Sequence, residues 1–135
     1  MATFNDPGAD ARAAQQAIRG LAHASRTIHD PRQIYEILGS LSSATSSLSQ
    51  SLHQIASVHD GPSRSARWVA GETRAERAAA YQMAWELHRA GEILRQVAES
   101  IDRAHEAEGH ITYGLRTPPE PSQATARTLD QGLGL

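Results

Sequence analysis

Residues 73–108 read TRAERAAAYQMAWELHRAGEILRQVAESIDRAHEAE and contain no proline. Seven apolar residues in this stretch follow one another at alternating spacings of four and three, which places them on one face of a helix. They are Met83, Leu87, Ala90, Leu94, Val97, Ile101 and Ala104. We therefore predict one long helix over residues 73–108, with these residues as its buried row.

Both ends of this helix have recognisable signals. Thr73 and Glu76 fit a capping box, in which each side chain accepts a hydrogen bond from the other residue's backbone N–H. Gly109 stands where a left-handed C-terminal cap is common, because glycine adopts positive φ without a Cβ clash. The sequence therefore predicts a helix start at Thr73 and a stop at Gly109.

A second row, beside the first, consists of small residues only. Ala84, Gly91 and Ala98 recur every seven residues, so another helix backbone could approach closely along this line. We predict that these three residues form an interface with a second copy of the chain or with another helical protein.

The preceding helix is predicted over residues 31–58. Asp30 and Pro31 supply a cap and a proline at the first helical position, and Gln33 could complete a capping box. Seven serines in the middle of this stretch are mediocre helix formers, so the helix depends on tertiary packing. Its apolar row again has spacings of three and four: Ile34, Leu38, Leu41, Thr45, Leu48, Leu52 and Ile55.

A first helix is predicted over residues 7–28, with Asp6 as its cap and Pro7 at its first position. Its expected buried row contains few large side chains, and Gly20 lowers its helix propensity. We therefore expect it to be the most weakly held of the three helices. The row is Ala11, Ala14, Ile18, Leu21, Ser25 and Ile28.

Together these signals predict an all-α fold, an antiparallel three-helix bundle dominated by a long helical hairpin. We expect a flexible N-terminus over residues 1–8, the bundle over residues 9–109, and a mostly disordered, proline-containing tail over residues 110–135. The predicted third helix is the longest, so part of its apolar face would stay uncovered in a monomer. A homodimer would complete such a core.

The composition limits the classes of function. The 135 residues carry a formal charge of −2 and no cysteine, which argues against a globally basic nucleic-acid binder and excludes cysteine-ligated metals. All 13 basic residues are arginine. No apolar run has the roughly 18 to 20 residues that a membrane span requires, and no signal peptide is recognisable. We expect a cytoplasmic protein that has no contact with a membrane.

No motif points to catalysis or to a cofactor. The best cluster of potential metal ligands is Asp102, His105, Glu106 and His110, but the paired Glu-x-x-His motifs of ferritin-like sites are absent. There is no glycine-rich phosphate loop and no nucleophile in a recognisable turn. The sequence therefore predicts neither catalytic residues, nor a metal, nor a cofactor, and we expect a protein that is not an enzyme.

One local excess of positive charge suggests an alternative function. Arg64, Arg67, Arg74 and Arg77 surround Trp68 at the head of the third predicted helix. Arginines can hold phosphates and a tryptophan can stack on a base. A nucleic-acid-binding accessory protein is therefore the alternative to our leading hypothesis, a non-enzymatic helical protein that self-associates or docks on a partner.

Two resemblances accompany these patterns. Over roughly residues 9–110 the arrangement resembles small all-helical actinobacterial proteins of unknown function, which implies a helical bundle and no particular site. Trp68-Val69-Ala70-Gly71 is similar to the Trp-x-Gly turn of the WXG100 family of secreted helical hairpins, with one residue more between tryptophan and glycine. That family's Tyr-x-x-x-Asp/Glu signal is not apparent. A secreted WXG100-like hairpin is the second alternative.

Overall fold

The computed structural model describes residues 1–60 and 73–114 of the chain. Within these residues the fold consists of three helices: α1 is Pro7–Ala24, α2 is Gln33–Asp60 and α3 is Arg74–Glu108. The described residues contain no strand, so the predicted all-α class is confirmed. None of the three helices has a stretch that is both long and apolar enough to cross a bilayer.

The start and the end of α3 are as predicted, but the conformation of its C-terminal cap is not. The side chain of Thr73 accepts from the Glu76 backbone N–H, and the Glu76 carboxylate accepts from the Thr73 N–H, both at 3.2 Å. Gly109 has φ −60° and ψ −17°, which is right-handed backbone, so the predicted left-handed cap is wrong. The helix ends through two tight turns, in which His110 and Ile111 donate to carbonyls three residues earlier.

The start of α2 also differs from the prediction, because Asp30 bonds to Arg32 instead of capping a helix. Its carboxylate accepts from the Arg32 backbone N–H and from the guanidinium, each at 3.0 Å. These bonds hold the pKa of Asp30 below its usual value. The Gln33 N–H donates to the Asp30 carbonyl at 3.1 Å, so a turn precedes α2 where we expected a capping box.

The N-terminal lead-in, which we expected to be flexible, is tied to the first turn of α1. The Asp10 carboxylate accepts from the backbone N–H groups of Thr3, at 2.5 Å, and Phe4, at 3.1 Å. The bond from Thr3 is the main reason that the pKa of Asp10 lies below its usual value. Asp6 caps the helix as predicted, accepting from Ala9 at 3.0 Å.

The core lies between α2 and α3, which form a long antiparallel hairpin. Its six buried residues recur every seven positions on both helices, and all of them are small. They are Ser42, Ser49 and Ala56 on α2, and Ala84, Gly91 and Ala98 on α3. Small side chains at the centre of the contact let the two backbones approach closely, while the leucines beside them are half-buried. The predicted dominance of this hairpin is confirmed.

Helix α1 has no part in this close packing. None of its Cα atoms lies within 8 Å of a Cα atom of α2 or α3, and it has no buried residue. Of the row that we expected to be buried, only Leu21 is half-buried, and Ile18 is 59% exposed. The predicted burial is therefore wrong, because α1 lies too far from α2 and α3 for this row to be enclosed. The expectation that α1 is the most weakly held helix is confirmed.

A groove of about 450 Å³ separates α1 from the first half of α2. Its apolar lining comes from Ala17, Ile18 and Leu21 on α1 and from Ile37, Leu41 and Ala44 on α2. Helix α1 ends at Ala24, four residues before the predicted end, and α2 continues to Asp60, two residues past the predicted end. Two predicted segments lie outside the described residues. They are the connection between the second and third helices, over residues 61–72, and residues 115–135 of the predicted disordered tail.

Candidate interaction site on the helical hairpin

The three residues predicted to contact another protein are buried inside the chain itself. Ala84 and Ala98 are 2% and 4% exposed, and the carbonyl of Gly91 accepts a hydrogen bond from the Ser49 hydroxyl at 2.6 Å. The prediction that another backbone approaches closely along this row is correct, but that backbone belongs to α2. The prediction that this row contacts a second protein is wrong, because α2 already covers it.

Gly91 also makes room for a histidine. A Cβ atom at this position would lie 2.7 Å from Nε2 of His53, closer than two such atoms can approach without a shift. A similar contact occurs towards the other end of the hairpin, where a Cβ on Gly39 would lie 3.2 Å from Nε2 of His105. The His105 ring also stacks on Tyr35, with ring centroids 4.0 Å apart. Each imidazole therefore lies directly over the backbone of the facing helix.

One side of the hairpin carries a chain of hydrogen-bonded polar groups. Nδ1 of His53 lies 2.7 Å from Nδ1 of His88, and Nε2 of His88 lies 2.6 Å from the Asp60 carboxylate. Further along the same side, the Ser42 hydroxyl donates to the Asp102 carboxylate. Three residues therefore link the last turns of α2 to α3, and we call His53, His88 and Asp60 the histidine chain.

The histidine chain and Asp102 share a position relative to the core, since each of these four residues follows a buried residue by four on its own helix. An antiparallel helix pair has an approximate twofold axis perpendicular to both helices, so equivalent positions on the two helices lie on the same side. The hydrogen bonds of the histidine chain agree with this arrangement. Residues that precede a buried residue by one must then lie together on the opposite side.

That opposite side is apolar. Leu48 and Ile55 on α2 and Val97 on α3 each precede a buried residue by one, and Val58 and Ile93 lie next to them on the same helices. All five side chains are between 41% and 51% exposed. We call these five residues the apolar face. Exposed apolar residues that are grouped on one side of a protein can mark a site of interaction.

The apolar face continues the surface that α1 partly covers. Leu41, which lines the groove beside α1, is followed at intervals of seven by Leu48 and Ile55. The stretch of α2 between Glu36 and Asp60 contains no aspartate, glutamate, lysine or arginine. This side of the hairpin is therefore apolar and uncharged along nearly the whole of α2.

The charged residues of α3 lie away from the core. The Arg95 guanidinium donates to the carboxylate of Glu92, at 2.6 and 3.0 Å, and to that of Glu99. The bond from Arg95 lowers the pKa of Glu92 below its usual value. Because all three side chains are about half-exposed, these pairs contribute little to stability, as expected for the alternating charges of this helix.

The potential metal ligands are used for helix packing instead. Asp102 bonds to Ser42, and His105 stacks on Tyr35. Across residues 1–60 and 73–114, no group of three or more histidine, aspartate or glutamate side chains is arranged to hold a metal ion. Glu106 and His110 are exposed.

The alternative nucleic-acid site falls mostly beyond what the structure covers. Arg64, Arg67 and Trp68 lie outside the described residues, whereas Arg74 and Arg77 are exposed in the first turn of α3. The nucleic-acid alternative therefore stays a prediction.

Comparison with family models, with curated proteins and with solved structures gave no match to this chain. Both resemblances drawn from the sequence stay predictions. The candidate site is thus defined by the hairpin itself: an apolar, uncharged side with five half-exposed aliphatic residues, and a polar side closed by the histidine chain.

Proposed function

We propose that this protein is a non-enzymatic helical interaction protein that self-associates, with the apolar face of one copy packing on that of another. One observation carries the proposal: five aliphatic side chains on one side of the hairpin, each 41% to 51% exposed, in a region where α2 has no charged residue. Removing the exposed half of such side chains from water favours association by about 1 kcal/mol each.

The length of α3 adds to the surface that a second copy could cover. Asp60, the last residue of α2, bonds to His88, so the first turns of α3 extend beyond the end of α2. From residue 74 to residue 98 the uncovered side is about 37 Å long. At about two helix diameters, roughly 20 Å, in width this gives roughly 700 Å² per copy, between the lower limit and the typical area of a stable interface.

A second copy fits this face better than a charged partner does. The α2 part of the face is uncharged, so it gains nothing from an acidic or basic partner, whereas two copies of it meet without repulsion between like charges. The face also continues the surface beside α1, where a helix of this chain already lies. A helical hairpin of the same kind is therefore the occupant that we propose, and the result is a four-helix core.

Analytical ultracentrifugation of the full chain tests this proposal. We expect a concentration-dependent dimer, and we expect Ile55→Glu to weaken it by at least about 100-fold, because the charge would be buried at the contact. The matched control is Gln50→Glu, which adds the same charge at an exposed position that follows the buried Ser49 by one and so lies on the other side of α2. It should leave the dissociation constant within about threefold of the wild type.

Three results would overturn the proposal. A wild-type chain that stays monomeric from micromolar to millimolar concentration would show that the face is not a self-association surface. A dimer that survives Ile55→Glu unchanged would place the interface elsewhere, as would equal weakening by the two glutamate variants. Circular dichroism of each variant checks that the helices are intact, so that loss of the dimer is read separately from loss of the fold.

A further inference from the structure

The histidine chain lies at the end of the hairpin where α2 stops. His53 and Asp60 are on the last two turns of α2, and His88 is on α3. The side chains of His88 and Asp60 are 38% and 32% exposed, so protons can reach them from solvent. The backbone of Gly91 lies against the His53 ring. This imidazole is therefore held between the Gly91 backbone and the His88 ring, both of which belong to α3.

The hydrogen bonds determine how many protons the two rings can carry. The Asp60 carboxylate can only accept, so Nε2 of His88 donates to it. With both rings neutral, Nδ1 of His88 is then an acceptor, and Nδ1 of His53 donates to it. One extra proton is also accommodated, because a single N–H still lies between the two Nδ1 atoms. With two extra protons both Nδ1 atoms carry hydrogen, and two N–H groups would face each other across 2.7 Å.

We infer that His53, His88 and Asp60 form a proton-responsive clasp, which holds the end of α2 on α3 while the two imidazoles share at most one extra proton and opens when a second proton binds. Binding of the second proton removes the hydrogen bond between the two Nδ1 atoms and leaves two imidazolium cations that repel each other. Because Gly91 lies behind His53, that ring can separate from His88 only by leaving its place in the hairpin.

Other charged groups near the clasp do not remove this limit. Asp60 on α2 favours one protonated ring through its bond to His88. Glu92 on α3 is close enough to His53 to interact electrostatically, but Arg95 is hydrogen-bonded to that carboxylate and offsets its charge. One carboxylate in direct contact can balance one imidazolium ion, and within residues 1–60 and 73–114 Asp60 is the only carboxylate that is hydrogen-bonded to either ring.

The direction of the pH effect follows from proton counting. Both histidines of an unfolded chain are protonated below about pH 6.5, whereas the closed clasp accepts only one of these protons. The unfolded state therefore binds more protons than the closed clasp only below about pH 6.5, so stability falls as the pH drops from there towards 5. At neutral pH the clasp is closed and this contribution to stability is present in full.

Opening the clasp also bears on the apolar face, a step that rests on the proposed function. Ile55 and Val58 belong to the same turns of α2 as His53 and Asp60. When these turns separate from α3, the α2 and α3 parts of the face no longer form one surface. Acidification from pH 7.5 to 5.5 should then weaken the dimer by at least about tenfold, a change equal to roughly 1.4 kcal/mol.

Thermal unfolding of the full chain at micromolar concentration tests the clasp by itself. We expect the wild-type melting temperature to fall on acidification from pH 6.5 to 5.0, and to fall by roughly 5 °C less in His53→Gln. Glutamine retains a donor for His88 but does not titrate. The control is His110→Gln, which removes an exposed histidine and should retain the full wild-type fall.

The clasp is overturned if His53→Gln shows the same acid-induced fall as the wild type. Should His53→Gln not fold, imidazole NMR titration of the wild type decides instead. Two well-separated titration steps for His53 and His88 in the folded chain support the clasp, and independent titration of both rings in one step overturns it. If the wild type forms no dimer at pH 7.5, only the proposed self-association is overturned, because the melting experiment does not depend on a dimer.

Discussion

The α2–α3 hairpin and helix α1 contain similar small residues, yet only the hairpin packs tightly. In the hairpin, buried small residues on one helix face buried small residues on the other, so both backbones come close. On α1, Ala17 lies beside the larger Ile18 and Leu21, and these residues face Ile37 and Leu41 of α2 across a groove of about 450 Å³. Small residues thus produce a close contact only where both helices carry them at the same level.

Overpacking the hairpin should give the largest loss of stability. Gly91→Leu places a side chain where even a Cβ lies 2.7 Å from His53, so the helices must move apart or the histidine must leave. We expect a loss of about 3 kcal/mol in the free energy of unfolding, measured by urea denaturation. A loss below about 0.5 kcal/mol would mean that the hairpin is no more tightly packed there than α1.

Removing one large side chain from each region should give a smaller effect and an unequal one. Leu94→Ala, at a half-buried position beside the core of the hairpin, should cost about 1 to 3 kcal/mol. Ile18→Ala, at a 59% exposed position on α1, should cost less than about 0.5 kcal/mol. Equal shifts in the urea midpoint would show that α1 packs as firmly as the hairpin does.

A glycine substitution in α1 should have the smallest effect and the opposite sign. A Cβ on Gly20 would meet no atom within 4 Å, so Gly20→Ala gains helix propensity without a clash. We expect a rise in helix content by circular dichroism and a stabilisation of α1 by up to about 1 kcal/mol. A destabilising result would mean that another part of the chain packs on α1 at this position.

Much of the fold could be predicted from the sequence, because local signals determine the helices. The capping box at Thr73 and the cap at Asp6 are present as predicted. The buried row of α3 was less predictable. The apolar residues suggested a buried row through Met83, Ala90 and Val97. The true centre of the helix contact is the neighbouring row of small residues, since a close contact places the smallest residues in the middle. The matching small row on α2 was the signal for this.

The candidate site could be predicted only in part. The apolar row of α2 was visible in the sequence, and Leu48 and Ile55 belong to it, although they lie on the surface and not in the core. The His53–His88 contact depends on how α2 and α3 are aligned, which neither helix specifies alone. Its sequence signal is subtle: each of these histidines follows a buried small residue by four positions.

The two glycine–histidine contacts bear on how this chain avoids folding incorrectly. A hairpin whose core repeats every seven residues could slip by one repeat and still pair small residues with small residues. Such a slip would bring Ala84 or Ala98 to His53 in place of Gly91, and their methyl groups would occupy the space of the imidazole. His105 would likewise lose Gly39 and meet a residue that has a side chain. The pairing of each ring with a glycine thus gives a repetitive sequence a single register, and misaligned hairpins are excluded by steric clashes during folding.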